Sequence, residues 1–214
     1  MISVIEAIAR LKRPAFSTAD VHAIRGGSLS SLVQSLRALE KQGMLAHLRR
    51  GLWMLALSNT RSKINPFELA QYLVPGGPVY ISFTSALHLH GMIGQIPQAI
   101  TVASTTHTQT IRTSAGTFYI HRIAPSFFKG YDWYRGEGSF LIATPEKALV
   151  DCLYVSSRRN RRFSHFPELD FSKSFSKKRA QEWVGRIADF RIRSHVQKKL
   201  GELLLKNSGT SDKS

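Results

Sequence analysis

Ser28-Leu-Ser-Ser-Leu-Val-Gln-Ser-Leu-Arg-Ala-Leu-Glu-Lys-Gln-Gly43 is the stretch that decides the fold of the N-terminal region. Leu32, Val33, Leu36 and Leu39 recur at the spacing of one helix face and form a buried stripe, while Ser30, Gln34, Arg37 and Lys41 fall together on the opposite face. Ser28 is a good starting residue for such a helix, and Gly43 stops it. A helix that buries leucine and exposes Gln and Arg meets the requirement for reading base edges in a DNA groove, because those side chains carry the matching donors.

Upstream, Val4, Ile8 and Leu11, supported by Ile5, predict a short amphipathic helix that Pro14 ends. Ser17 with Asp20 predicts the cap of a second helix, and Phe16 with Val21 a hydrophobic staple, before Gly26 closes it. Downstream, Leu45–Leu48 and Leu52–Leu55 read as two strands joined through Arg49, Arg50 and Gly51, a hairpin with an exposed basic tip. Helix, helix, helix, wing is the order of a winged helix-turn-helix, placed at residues 1–60. Its candidate DNA-binding residues are Ser28, Ser30, Ser31, Gln34, Arg37 and Lys41 on the third helix, with Arg49 and Arg50 on the wing. The competing readings are a merely solvated helix face, as most such faces are, and a winged helix that binds protein rather than DNA.

Beyond residue 57 the pattern lapses into Ser, Asn, Thr, Arg and Lys up to Asn65, which predicts a linker over 58–65. Phe67, Leu69, Ala70 and Leu73 suggest a helix ended by Pro75-Gly76-Gly77-Pro78. Five β-rich stretches follow, at 79–83, 99–103, 110–113, 117–123 and 139–143, with helices at 85–90 and from Pro145, where Thr144 is the N-cap. Ala148, Leu149 and Cys152 should face the core. Trp183, Ile187 and Phe190 mark a further helix, Val196–Leu205 another, and 207–214 a disordered tail. The overall expectation is α+β: an N-terminal winged helix followed by a mixed α+β domain over 66–206.

Thirty Lys and Arg against fourteen Asp and Glu give a formal charge of +16, which favours polyanionic partners through counterion release. Residues 1–60 hold eight basic and three acidic groups, 61–150 seven and four, and 151–214 fifteen and seven. Arg158, Arg159, Arg161 and Arg162 are nearly adjacent, and Lys177, Lys178 and Arg179 follow; both clusters suit nucleic acid, an acidic partner or plain solvation. The single cysteine, the lack of an apolar run of membrane length and the lack of a leader-like opening point to a soluble cytoplasmic protein.

Catalytic chemistry finds little purchase. His88 and His90 sit two apart, so on a helix they point about 200° away from each other and cannot share one ion. His107, His121 and His165 lack a neighbouring Cys or paired carboxylate, and residues 132, 137, 146 and 151 do not form the carboxylate cluster of a two-metal nuclease. There is no Gly-x-Ser-x-Gly elbow and no phosphate-binding loop. No metal, cofactor or enzymatic activity is expected, and Cys152 reads as packed and inert.

Three blocks carry a family resemblance. Tyr80-Ile-Ser-Phe-Thr-Ser-Ala-Leu-His-Leu-His-Gly91 with Gln95-Ile-Pro97, Ala143-Thr-Pro-Glu-Lys-Ala-Leu-Val-Asp151, and Arg193-Ser-His-Val-Gln-Lys-Lys-Leu-Gly201 together resemble the antitoxins of the AbiE abortive-infection systems, the AbiEi family, over residues 1–206. That resemblance implies a type IV toxin–antitoxin protein. Its winged helix would repress its own operon at an inverted repeat, as a monomer in solution or a dimer on DNA, and its C-terminal domain would counteract a nucleotidyltransferase toxin. Ser82, Ser85, Ala86, His90 and Gly91 match the first block, and Pro145, Glu146, Lys147 and Asp151 the second. These residues could equally be architectural, serving as caps, turns and internal hydrogen bonds. A stand-alone regulator, an interaction module and, last, a nucleic-acid enzyme are the other readings.

Overall fold

Ser17 Oγ accepts the Asp20 N–H at 3.0 Å while Asp20 Oδ2 accepts the Ser17 N–H at 2.7 Å, so α2 (Thr18–Arg25) opens on the expected capping box. Phe16 and Val21 flank it and are buried. α1 (Val4–Leu11) is capped by Ser3 Oγ, which accepts the Glu6 N–H at 3.0 Å, and α3 (Leu29–Lys41) begins after Ser28, whose hydroxyl bonds Ser30 Oγ rather than a helix amide. The computed structural model describes residues 2–56, 65–74, 76–157, 163, 168–171 and 175–208.

Two strands escape the sequence pattern, one at Ala15–Ser17 and one at Tyr131–Trp133. β1 (Ala15–Ser17) pairs antiparallel with β3 (Leu52–Leu55), which also pairs with β2 (Leu45–Arg49), giving a three-stranded sheet in the order β1-β3-β2. Three residues are too few to show a period of two, and β1 owes its conformation to the distant partner that sets Phe16 opposite Trp53. The three helices close over this sheet. Val4, Ala7, Ile8, Phe16, Val21, Leu32, Leu36, Leu45 and Trp53 form one core, and Trp53 Nε1 donates to Thr18 Oγ1 at 2.9 Å.

The chain divides into two compact units, the first running to Leu73 and including Arg112–Gly116, the second comprising Val74–Ile111 and the residues from Thr117. Helix α4 (Pro66–Leu73), placed by sequence at the start of the C-terminal domain, therefore groups with the first unit. Of the linker expected at 58–65, all but Asn65 lies outside the described residues, as do Arg158, Arg159, Arg161 and Arg162.

The second unit is mixed α+β. Its strands are β4 (Val79–Ile81), β5 (Ile100–Ser104), β6 (Gln109–Thr113), β7 (Gly116–Arg122), β8 (Tyr131–Trp133) and β9 (Leu141–Ala143), in the sheet order β6-β7-β5-β4-β9-β8, with the end of β6 and the first residue of β7 falling in the segment grouped with the first unit. β4 runs antiparallel to β5 and parallel to β9, and β5 parallel to β7. The helices are α5 (Phe83–Leu89), α6 (Pro145–Ser156), α7 (Lys177–Gly185) and α8 (Phe190–Ser208). No helix among the described residues is long and apolar enough to cross a membrane.

Several boundaries differ from expectation; among them the helix expected at 85–90 spans Phe83–Leu89, the strand expected at 139–143 is Leu141–Ala143, and the helix expected from Val196 begins at Phe190. The strand expected over 79–83 stops at Ile81, because Ser82 turns into α5 and Phe83 takes φ 57° while its ring is packed against Phe163 and His121. The single helix expected from Trp183 through Phe190 is broken: α7 ends at Gly185, Ile187 is buried in the break, and Asp189 Oδ1 accepts the Ile192 N–H to start α8. Phe190 is consequently 71% exposed rather than core. α8 also runs to Ser208, into the tail expected at 207–214, of which 209–214 lie outside the described residues.

Candidate nucleic-acid interface and a buried polar centre

In the first unit, α3 is held by Leu32 and Leu36, both fully buried, with Val33 and Leu39 half-buried beside them. That packing fixes the rotation of the helix. Ser30, Ser31, Gln34, Arg37 and Lys41 are all exposed, and Ser30, Gln34, Arg37 and Lys41 align at intervals of four, three and four residues. Ser28, also exposed, is tied to Ser30, and Ser31 offers its carbonyl to Ser35 Oγ at 3.0 Å. Among the described residues, the side chains of Gln34, Arg37 and Lys41 make no hydrogen bond or ion pair. Two arginines of the unit, by contrast, are engaged: Arg10 with Glu6 at 2.7 Å, and Arg13 with Asp20 at 2.5 Å.

The hairpin tip departs from expectation. Arg50 is exposed, but Arg49 is half-buried and donates through Nη2 to the Leu73 carbonyl at 3.2 Å, the last residue of α4. A helix C-terminus leaves carbonyls without intrahelical partners and carries partial negative charge, so it draws the guanidinium inward. A bulge between His47 and Arg49 accompanies this turn. Sequence could not have separated the two arginines, because the acceptor lies 24 residues away.

Asp20 is one of the titratable groups of this unit that its surroundings shift. Partial burial would raise its carboxyl, but hydrogen bonds from Ser17 and the Arg13 guanidinium outweigh that and hold it below the usual carboxylate range.

In the second unit the two sequence blocks meet. Asp151 Oδ2 accepts hydrogen bonds from Ser82 Oγ at 2.8 Å and Tyr80 Oη at 3.0 Å, and Oδ1 accepts from Lys147 Nζ, which also donates to Tyr80 Oη at 3.0 Å. Four side chains drawn from residues 71 positions apart thus satisfy one another. The Lys147 ammonium also lies 4.0 Å from the Phe127 ring centroid, with Tyr80 and Trp183 at 5.5 and 5.6 Å. Burial pushes the Asp151 carboxyl up and the Lys147 ammonium down, and each charge opposes the other's shift. Burial, reinforced by the Asp151 charge, drives the Tyr80 hydroxyl far above its ordinary value, so it donates rather than ionises.

The remaining block residues are equally committed. Ser85 Oγ accepts the Thr101 N–H at 2.9 Å, and Thr101 Oγ1 donates to the Ser82 carbonyl at 2.7 Å. His90 Nε2 reaches the Ala143 carbonyl at 2.7 Å, and Gly91, at φ 70°, ends α5. Pro145 opens α6 behind the Thr144 cap, and Glu146 Oε1 accepts the Ser176 N–H at 2.9 Å. Ser82, Ser85, Glu146, Lys147 and Asp151 are all buried. Among the described residues, the Lys147–Asp151 pair is fully enclosed by its neighbours. Burial, and secondarily the Asp151 charge, raise the Cys152 thiol well above its ordinary range, which leaves it unreactive. Phe127 carries no signal in the sequence, and Thr101 and Trp183 signal only a strand and a helix there, because membership of this centre depends wholly on tertiary contact. No protein-family model matches the chain, and no curated protein matches it.

Proposed function

We propose that this chain is a DNA-binding transcriptional autorepressor that also serves as antitoxin in a type IV, AbiE-like operon. In this reading the first unit is a winged helix-turn-helix, with α3 the recognition helix and the β2–β3 hairpin the wing. The observation that carries it is the outer face of α3, where Gln34, Arg37 and Lys41 are aligned, exposed and uncommitted on a helix whose opposite face is core. An exposed Arg50 at the hairpin turn supplies a phosphate-directed charge.

The antitoxin half rests on the resemblance of the blocks at 80–91 and 143–151. Support comes from their convergence: side chains quoted from separate stretches of sequence share one hydrogen-bonded centre around Asp151. Because these residues are buried, they maintain the second unit, and contact with a nucleotidyltransferase toxin falls to other surfaces.

Footprinting of the full chain on the DNA upstream of its own gene tests the repressor. Protection of an inverted repeat is expected, since one small winged helix reads few base pairs and two half-sites multiply its specificity. Equal affinity for scrambled duplex would overturn the reading. Growth rescue of cells expressing a nucleotidyltransferase toxin encoded beside the gene tests the antitoxin, and its failure would leave a regulator alone.

A further inference from the structure

Resting on the DNA-binding reading, we infer that α3 reads a half-site in which an A·T pair, taken by Gln34, lies one or two steps from a G·C pair, taken by Arg37. Lys41 is assigned to phosphate. Three residues along an α-helix advance about 4.5 Å, against about 3.4 Å between stacked base pairs, so two side chains on one face at that spacing reach neighbouring or next-neighbouring pairs.

Chemistry then assigns the bases. A carboxamide presents one acceptor and one donor side by side, which complements N6 and N7 of adenine, whereas a guanidinium presents parallel donors that complement O6 and N7 of guanine. Ser30 lies one turn earlier on the same face, but its short hydroxyl is already bonded to Ser28 at 2.8 Å and can donate or accept, so it discriminates little. Lys41 lies about 6 Å beyond Arg37, where a straight helix leaves a curving groove, and an ammonium lacks the fork that distinguishes one base edge. Gln34 and Arg37 need break no bond within the described residues to engage DNA, unlike Arg49, which would have to leave the Leu73 carbonyl.

The test is selection of bound duplexes from a randomised library by the full chain, by Gln34→Ala, and by Arg37→Ala and Arg37→Lys. The wild type should enrich an inverted repeat containing the A·T and G·C pairs within two steps. Arg37→Ala should lose preference at the G·C position alone and bind the selected duplex roughly 5- to 150-fold more weakly. Arg37→Lys should lose the same preference while keeping its affinity for unselected duplex, because it retains the charge without the fork. Gln34→Ala should lose the A·T position only. A motif that survives in Arg37→Ala, or one lacking these pairs, overturns the assignment. Binding without any enriched motif also overturns it but leaves DNA binding standing, and no binding to any duplex overturns both. All variants should melt with the wild type, since both positions are exposed.

Discussion

α3 and α6 each carry a row of strongly polar side chains on a helix that is otherwise packed, and they use that row in opposite ways. On α3, Gln34, Arg37 and Lys41 point to solvent and bond nothing among the described residues; on α6, Glu146, Lys147 and Asp151 point inward, each with at least one partner. Water solvates an unpaired charge at little cost, so the α3 row can stay free for a ligand. A buried charge costs several kcal/mol unless a partner and hydrogen bonds offset it, so the α6 row is committed to the fold. Both sets are strongly polar in sequence, and only burial tells a solvent-facing set from an internal brace.

Removing one member of the buried row should give the largest effect. Lys147→Met leaves Asp151 buried with only the Ser82 and Tyr80 hydroxyls as donors, and should cost about 3–5 kcal/mol in denaturant unfolding. Adding Asp151→Asn should recover part of that loss. A cost below about 1 kcal/mol for Lys147→Met would mean the pair contributes nothing that water could not replace.

Gly130→Ala should come next. A Cβ there would sit 2.3 Å from Trp183 Cζ2, at a backbone φ of +81° that side chains resist. The expected cost is about 1–3 kcal/mol, from strain and displacement of the indole that faces Lys147. Pairing it with Trp183→Leu should remove the steric part and leave the backbone part.

The β2–β3 hairpin sharpens the comparison within one turn. Arg50→Ala should lower the slope of log affinity against log salt by about one unit and leave stability unchanged. Arg49→Ala should keep that slope and instead lower stability by about 1 kcal/mol, through loss of its bond to the Leu73 carbonyl. Equal slopes for the two variants would place both arginines in the same role.

The smallest effect is at Asp20. Its carboxyl titrates below the ordinary range, so its stabilisation is fully present above the unfolded carboxylate value and fades as pH falls through the lowered one. Hydrogen exchange at the α2 amides should therefore quicken in acid. Asp20→Asn should flatten that acid response and cost at most about 1 kcal/mol at neutral pH, since the side chain is partly solvated.

Local chemistry alone made the first unit largely legible. The Ser17–Asp20 cap, the Phe16–Val21 staple, the leucine stripe of α3 and the glycine stops act over a few residues, so their spacing can be read directly from the sequence. The polar face of α3 was equally visible, because helical periodicity places Ser30, Gln34, Arg37 and Lys41 together whatever they later touch. What tertiary structure alone decided depends on partners far away in the chain. β1 became a strand because Trp53 lies across from Phe16, and Arg49 turned inward because α4 ends beside it. Lys147 and Asp151 became a core pair because Tyr80 on β4 and Ser82 at the start of α5 arrive to solvate them in place of water. The composition of a short segment cannot encode that exchange of solvent for a distant side chain, since its free energy exists only once both segments are packed.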